Sequence, residues 1–530
     1  MSFRRAFFTV GGLTMLSRLT GFLRDMLAAN YMGAGMVADA FFIALRLPNL
    51  FRRMFAEGAF TISFVPLFTG ELKKSKPEAK QFAEEALALL MTVLVPFTLV
   101  MMLTMPWLMH IITPGFEGEK MELAITLSII TFPYLLLISL SALLGSVLNG
   151  MGRFAPYAAA PVAFNLMQIL ALWLALDYFE TPAHALAWAV SASGAVQLVW
   201  LAFSAQRAGM SLSIIRPRLD DRMRHFLRLV GPGALGAGVM QVNIFIDMVL
   251  ASLLPTGGVS YLSYADRLYQ LPVGVIGIAI GTALLPLLSQ VIYSGEHERA
   301  LSEQNRAIEF GLYLGVPAAV ALALVSEPIM AVLFERGQFT PAISHATALA
   351  LAAYALSIPA YMVNKVLTTA FYAREDTNTP FRISLVTVIV NTLFSIVVIQ
   401  TMLHTGHAEI AYIGLALATA LTAWLNFALL SLTLRKRGHL VWDARLRRTV
   451  GRIALSAAGM AVLLLGLSRL LWDWFRSTRW LELIALGVLV GGGGLAYLAL
   501  AHVTGAQRLD EVLRRLKRKS GPPPLPEAGN

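Results

Sequence analysis

The stretch "ADAFFIALRLPNLFRRMFAEGAF", Ala38 to Phe60, sets Asp39, Arg46, Arg52, Arg53 and Glu57 into strongly apolar chain. What charges are doing there depends on the solvent, and composition settles the solvent. The 530 residues are 57% hydrophobic and only 14% charged, with a mean hydropathy of +0.67. A soluble domain is about 25% charged, so the chain reads as an all-α polytopic membrane protein. It has no cysteine, which excludes disulfides, thiolate metal sites and a cysteine nucleophile. The net charge of +11 does not call for nucleic acid, because membrane proteins concentrate Lys and Arg in their cytoplasmic loops.

A spanning helix needs about 20 mostly apolar residues. Fourteen such runs lie near 7–31, 36–58, 82–112, 121–150, 154–177, 183–206, 226–254, 261–293, 307–334, 341–372, 380–403, 409–434, 450–474 and 480–504. Pro48 predicts a kink in the second. The N-terminus begins like a signal peptide, but Arg18 interrupts its apolar core, so it reads as a retained first helix. With both termini in the cytoplasm, thirty Lys and Arg fall on the inner side and four on the outer. That asymmetry is the one the positive-inside rule requires. After the last run, "QRLDEVLRRLKRKS" predicts a basic amphipathic anchor for the anionic inner leaflet, followed by a Pro-rich tail.

The chain also repeats itself. "DMLAANYMGAGMVADAFFIALRL" (Asp25–Leu47) aligns with "DMVLASLLPTGGVSYLSYADRL" (Asp247–Leu268), and "FVPLF" (Phe64–Phe68) with "LLPLL" (Leu284–Leu288). Six runs separate the copies, an even number, so the two halves keep the same orientation. This predicts two six-helix lobes, 1–206 and 207–435, related by a parallel pseudo-twofold, which is a transporter plan. Two extra helices (436–505) and a basic tail (506–530) follow.

Eight basic residues remain inside the runs: Arg18, Arg24, Arg46, Arg52, Arg53, Arg267, Lys365 and Arg469. Each charge near the bilayer centre costs roughly 2.5–3.5 kcal/mol. Asp39, Arg46 and Arg53 are seven apart, one face of an undistorted helix. Two readings of these charges stand side by side. In the first, Arg52, Arg53 and Glu57 snorkel at a helix end, while Arg18, Arg24 and Asp25 satisfy one another, as do Asp266 and Arg267. In the second, arginines line a water-filled cavity and bind an anion, since a guanidinium fork fits phosphate oxygens two at a time. No phosphate loop, HExxH or GxSxG motif is present. His404, His407 and Glu409 form a weak zinc candidate. Gly277-xxx-Gly281 and Gly491–Gly494 predict close helix packing.

The segments "SRLTGFLRD" (Ser17–Asp25), Ala38–Phe60, "SYADRLYQLPVGVIGIAIGTALLPLLS" (Ser263–Ser289) and "FYAREDTNTP" (Phe371–Pro380) carry a resemblance over nearly the whole chain. It resembles the MurJ (MviN) family of lipid II flippases in the multidrug/oligosaccharidyl-lipid/polysaccharide exporter superfamily. The resemblance implies a transporter, not an enzyme, in the bacterial inner membrane. Its cargo would be lipid II, an undecaprenyl-diphosphate-linked disaccharide pentapeptide, moved from inner to outer leaflet by alternating access. It implies Arg18, Arg24, Arg52 and Arg267 at the cavity and the diphosphate, and Asp39, Arg53 and Glu57 in functionally sensitive helices. The last two helices would form a groove for the lipid tail. Gln270 stands where some members carry a carboxylate. Asp247 corresponds to a sodium-binding aspartate of some members, with Asn364 and Asn391 as candidate companions.

No cofactor is implied. Sodium, protons and the membrane potential are the candidate driving forces, with Asp25, Asp39 and Asp247 as candidate coupling sites. The implied partners are lipid II, membrane lipids and cell-wall synthesis proteins. The nearest alternative is an exporter of another lipid-linked oligosaccharide. A drug exporter predicts twelve spans and fewer arginines, and a polyprenyl-dependent glycosyltransferase predicts carboxylates in a large surface loop. The loops near 207–225 and 435–449 are short and mostly basic.

Overall fold

The computed structural model describes residues 3–55, 59–471, 473–474 and 478–506. Glu57 and the tail from 507 onward lie outside the described residues. The described chain is mostly helix, joined by short turns and loops: α1 (Phe3–Met32), α2 (Met36–Phe55), α3 (Ala59–Lys74), α4 (Lys76–Ile112), α5 (Gly118–Thr131) and α6 (Tyr134–Gly150). There follow α7 (Ala155–Leu174), α8 (Pro182–Arg207), α9 (Asp221–Ser252), α10 (Gly258–Tyr293), α11 (His297–Leu324) and α12 (Ser326–Phe334). The last six are α13 (Pro341–Ala355), α14 (Ile358–Tyr372), α15 (Asn378–His404), α16 (Ala411–Lys436), α17 (Ala444–Leu470) and α18 (Arg479–Thr504).

Among the described residues each expected run lies mainly on helix, and eleven helical stretches are long and apolar enough to cross a membrane. Two of the eleven, α5 with α6 and α13 with α14, are broken pairs. The other expected runs correspond to α1, α2 and α9, and these carry the charges. Sequence reading left residues 59–74 unassigned, yet they form α3. Its Phe60, Phe64 and Phe68 recur every fourth residue, stack at 5.5 and 5.6 Å, and meet Phe82 of α4 and Phe226 of α9. Arg222, near the start of α9, closes this core by pairing with Glu85 at 2.6 Å. Gly493, within the glycine run of α18, packs against Leu464 of α17, as close helix packing predicts.

Pro48 does not end α2, which is helical from Met36 through Phe55. A proline lacks the N–H that would bond the carbonyl four residues back, here that of Ala44. The hydroxyl of Thr131 in α5 donates to that carbonyl at 3.1 Å. Asn49 meanwhile donates to the carbonyl of Leu45 at 2.8 Å. The broken ladder is thus repaired from a neighbouring helix.

The chain divides into two compact units. The first comprises the described residues through Ser263, with Phe334–Ile343 and Ile399–Tyr412. The second comprises Tyr264–Leu333, Ser344–Val398 and the described residues from Ile413. Compactness therefore places α9 and the beginning of α10 with the first unit, whereas the repeat would divide the chain after 206. α9 packs in the first unit through Phe226 on Phe60 and Phe82, and residues 257–260 bond the carboxylate of Asp39. Within the second unit the "AREDTNTP" turn is held by Asp376. Its carboxylate accepts from the hydroxyl and N–H of Thr379 at 2.6 and 2.9 Å and from Arg437 at 2.5 Å.

Two outcomes are expected. Thr131→Val strands the Ala44 carbonyl and should cost about 1–3 kcal/mol, read as a lower melting temperature of the purified protein. Asp376→Asn should also melt lower. The Thr379 hydroxyl, then Arg437, hold the Asp376 carboxyl down at about 2 from an ordinary 3.8. Because the folded value is the depressed one, this stabilisation is complete above the unfolded value and lost as pH falls through the folded one. The gap between variant and wild type should therefore narrow between about pH 4 and pH 2. A gap independent of pH there would show that the carboxylate's charge is not what holds the turn.

Candidate functional site

The charges of α1 are sorted by burial. Arg18 is exposed, Asp25 half-buried and Arg24 buried. A buried guanidinium must find acceptors, and Arg24 finds them on two helices. Its Nε and Nη2 donate to Asp25 Oδ1 at 3.0 and 2.6 Å, and Nη1 donates to Asn165 Oδ1 of α7 at 2.9 Å. The same guanidinium lies 5.6 Å over the ring of Phe164. The amide nitrogen of Asn165 donates back to the Ser17 carbonyl at 2.9 Å and the Thr20 hydroxyl at 3.2 Å. Gly21 makes room for it, since a Cβ there would sit 3.2 Å from that nitrogen. One asparagine therefore sets both the position of α1 and the aim of Arg24.

On α2 the arginines stand in three different states. Arg46 donates to the Ser263 hydroxyl at 3.1 Å. Arg52 is half-buried, with its Nε on the Asn49 side-chain oxygen at 3.1 Å, and Arg53 is exposed. Asp39, expected among the headgroup-binding set, has other company. It is 0% exposed, pairs with Lys120 at 2.8 Å and accepts from Gly257 N, Ser260 N and Ser260 Oγ at 2.8, 2.9 and 2.6 Å. With that many donors and no exposed surface, it is an internal anchor of the first unit. Lys120, expected as a loop charge, is buried against the ring of Phe116 at 4.1 Å.

Arg267 is exposed on α10 within the second unit. Its neighbour Asp266 accepts a hydrogen bond from Gln270 one turn later, so the residue that departs from the family pattern still bonds the acidic partner of the Asp-Arg pair. Asp247 on α9 accepts from Asn243 at 3.4 Å. Asn364 donates to the Ala423 carbonyl at 2.9 Å, and Asn391 accepts from the Thr422 hydroxyl at 3.3 Å. Among the described residues, no three His, Asp or Glu side chains come together as metal ligands.

Sequence reasoning weighed charges and so missed Asn165, Ser260 and Thr131. Their only signal was an uncharged polar side chain in an apolar run, which is common. Their importance lies in bonds to residues 87 to 221 positions away, and no local pattern records those.

Residues 28–484 match the family described as "Lipid II flippase MurJ". A "Probable lipid II flippase MurJ" of Rhizobium tropici is 40% identical over 99% of this chain and 98% of the relative. That of Vibrio cholerae is 34% identical over 94% and 96%. The solved structure "Lipid II flippase MurJ, inward closed conformation" superposes with a TM-score of 0.73 at 25% identity, over 96% of this chain and 99% of its own. An inward-facing multidrug transporter of the MATE family shares the fold at a TM-score of 0.65 and 16% identity, over 81% of this chain and 98% of its own. The chain belongs to the lipid II flippase MurJ family.

Proposed function

We propose that this protein carries lipid II from the inner to the outer leaflet of the bacterial cytoplasmic membrane by alternating access. The observation that carries the reading is the match of residues 28–484 to a family of lipid II flippases. The distribution of charge supports it. Arg18, Arg24, Arg52, Arg53 and Arg267 form an excess of guanidinium on otherwise apolar helices, which suits a diphosphate. Arg18, Arg53 and Arg267 are exposed and are the first to meet the headgroup. Arg24 is engaged by Asp25 and Asn165, so a diphosphate oxygen reaches it by replacing the Asp25 carboxylate, one anion for another.

That replacement couples binding to the state of α1. It leaves Asp25 to take a proton, or to move with the helix, and two states of different ligand affinity are what alternating access requires. Asp247 with Asn243 is the candidate sodium site. The membrane potential acts on any net charge moved, at about 2.3 kcal/mol per elementary charge per 100 mV. Both termini lie in the cytoplasm on the strength of the Lys and Arg asymmetry, and α17 with α18 holds the polyprenyl tail.

The test is lipid II exposure on the outer leaflet of bacteria depleted of their own flippase, read by a lipid II-cleaving toxin added from outside. The wild-type chain should restore cleavage. Arg52→Ala should lose it by about tenfold or more, the worth of one charge-assisted hydrogen bond. Asn165→Ala should fall between them, because Arg24 keeps Asp25 but loses its aim. A well-expressed wild type that restores nothing would sink the cargo. Full activity of Arg52→Ala would reduce that arginine to an interfacial anchor.

A further inference from the structure

The second unit holds a cation that this reading does not use. Along α13 and α14, 61% of the residues in the apolar stretch are buried, against 22% along α15. α15 turns Phe381, Leu385, Val386, Ile389 and Leu393 outward, the exterior that lipid requires. α14 is an inner helix, with Ile358, Met362, Val363, Val366, Leu367 and Phe371 all buried. Beyond Pro359 in its first turn, its open positions are Tyr361, Lys365, Thr368 and Tyr372. These recur at i, i+4, i+7 and i+11, a single face. A strip facing lipid would be apolar, and this one is polar on a helix otherwise sealed by packing, so it faces water.

Lys365 sits in the middle of that strip. It is exposed and lies about 10 Å along the axis from the last residue of α14, at 1.5 Å per residue. The residues expected to serve close helix packing, Gly277 and Gly281, behave otherwise. Gly277 has nothing within 4 Å, and a Cβ on Gly281 would lie 2.7 Å from Lys365 Cε and 3.4 Å from its ammonium nitrogen. Gly281 is therefore the clearance through which the lysine passes over α10. Among the described residues no ion pair to a carboxylate is made by this ammonium. A charge within a spanning helix is costly to insert, so an ammonium without a counter-ion among those residues calls for an anionic ligand.

We propose that Lys365 is a substrate-binding residue of the second unit, its ammonium taking an oxyanion of the lipid-linked headgroup. This deepens the lipid II reading and rests on it. The oxygen belongs either to the diphosphate or to a carboxylate of the peptide, and Lys365 contacts it as a point charge with rotatable donors.

Two measurements on the purified full chain in nanodiscs test it. Because the protein has no cysteine, Lys365→Cys carries a single thiol. A charged, membrane-impermeant methanethiosulfonate should modify it at least tenfold faster than the thiol of Leu393→Cys on the lipid face. Equal rates overturn the aqueous face, whatever the cargo. Affinities for lipid II and for undecaprenyl diphosphate are then compared across wild type, Lys365→Gln and Lys365→Arg. The glutamine variant should bind lipid II about tenfold more weakly, and the arginine variant should stay near wild type. Loss on both ligands assigns the diphosphate, and loss on lipid II alone assigns the peptide carboxylates. Wild-type affinity in Lys365→Gln overturns the proposal. A wild type that binds undecaprenyl diphosphate but not lipid II overturns the cargo, while the glutamine variant still reports on the lysine through the diphosphate. A wild type that binds neither overturns both.

Discussion

A carboxylate with no exposed surface is costly unless every lone pair finds a donor, and Asp39 satisfies that demand from two stretches of chain distant from its own. Lys120 comes from the first turn of α5, Gly257 and Ser260 from the turn and first residues of α10, and Asp39 itself from the first turn of α2. Three helix N-termini thus converge on one anion, the end of a helix where negative charge is stabilised. Moving any one of them would strand either the carboxylate or the Lys120 ammonium. The anchor also fixes the rotation of α2 about its axis, and with it the bearing of every arginine further along. The Thr131 hydroxyl extends that control past Pro48 by supplying the hydrogen bond that proline cannot.

The arginines proposed to meet the headgroup differ from one another in burial. Arg24 is held by a carboxylate, an amide and an aromatic ring, so its donors are already committed. Arg53 and Arg267 are exposed. On the proposed reading, exposed charges raise the local concentration of an anionic headgroup, and a committed one ties binding to a conformational step. Asn165 ties Arg24 to the helix that carries it, because it bonds the guanidinium with one end and the α1 backbone with the other.

Much of this was legible in residue order. The membrane solvent follows from composition, the helices from runs of about 20 apolar residues, and the charge-bearing first two helices from the arginines they contain. Expectations failed where a residue's meaning lay in its partner. Lys120 reads as a loop charge and is a buried counter-ion. Gly277 and Gly281 read as a packing motif, yet one is open and the other clears the path of a lysine. Residues 59–74 passed unassigned because Pro66 and Gly70 interrupt an apolar run already short, although their phenylalanines recur at the helical period.

Periodicity and composition report averages over neighbours in the chain, and in a membrane those averages are strict, because lipid tolerates neither an open backbone nor a dense run of charge. Solvent, helical class and the identity of the charged helices were therefore settled before folding was considered. Which charges cancel and which stay available was settled only in three dimensions. Asp39 and Lys120 are 81 residues apart, and Arg24 and Asn165 are 141 apart. Their pairing energies depend on distance and local dielectric, quantities that exist only once the helices have packed.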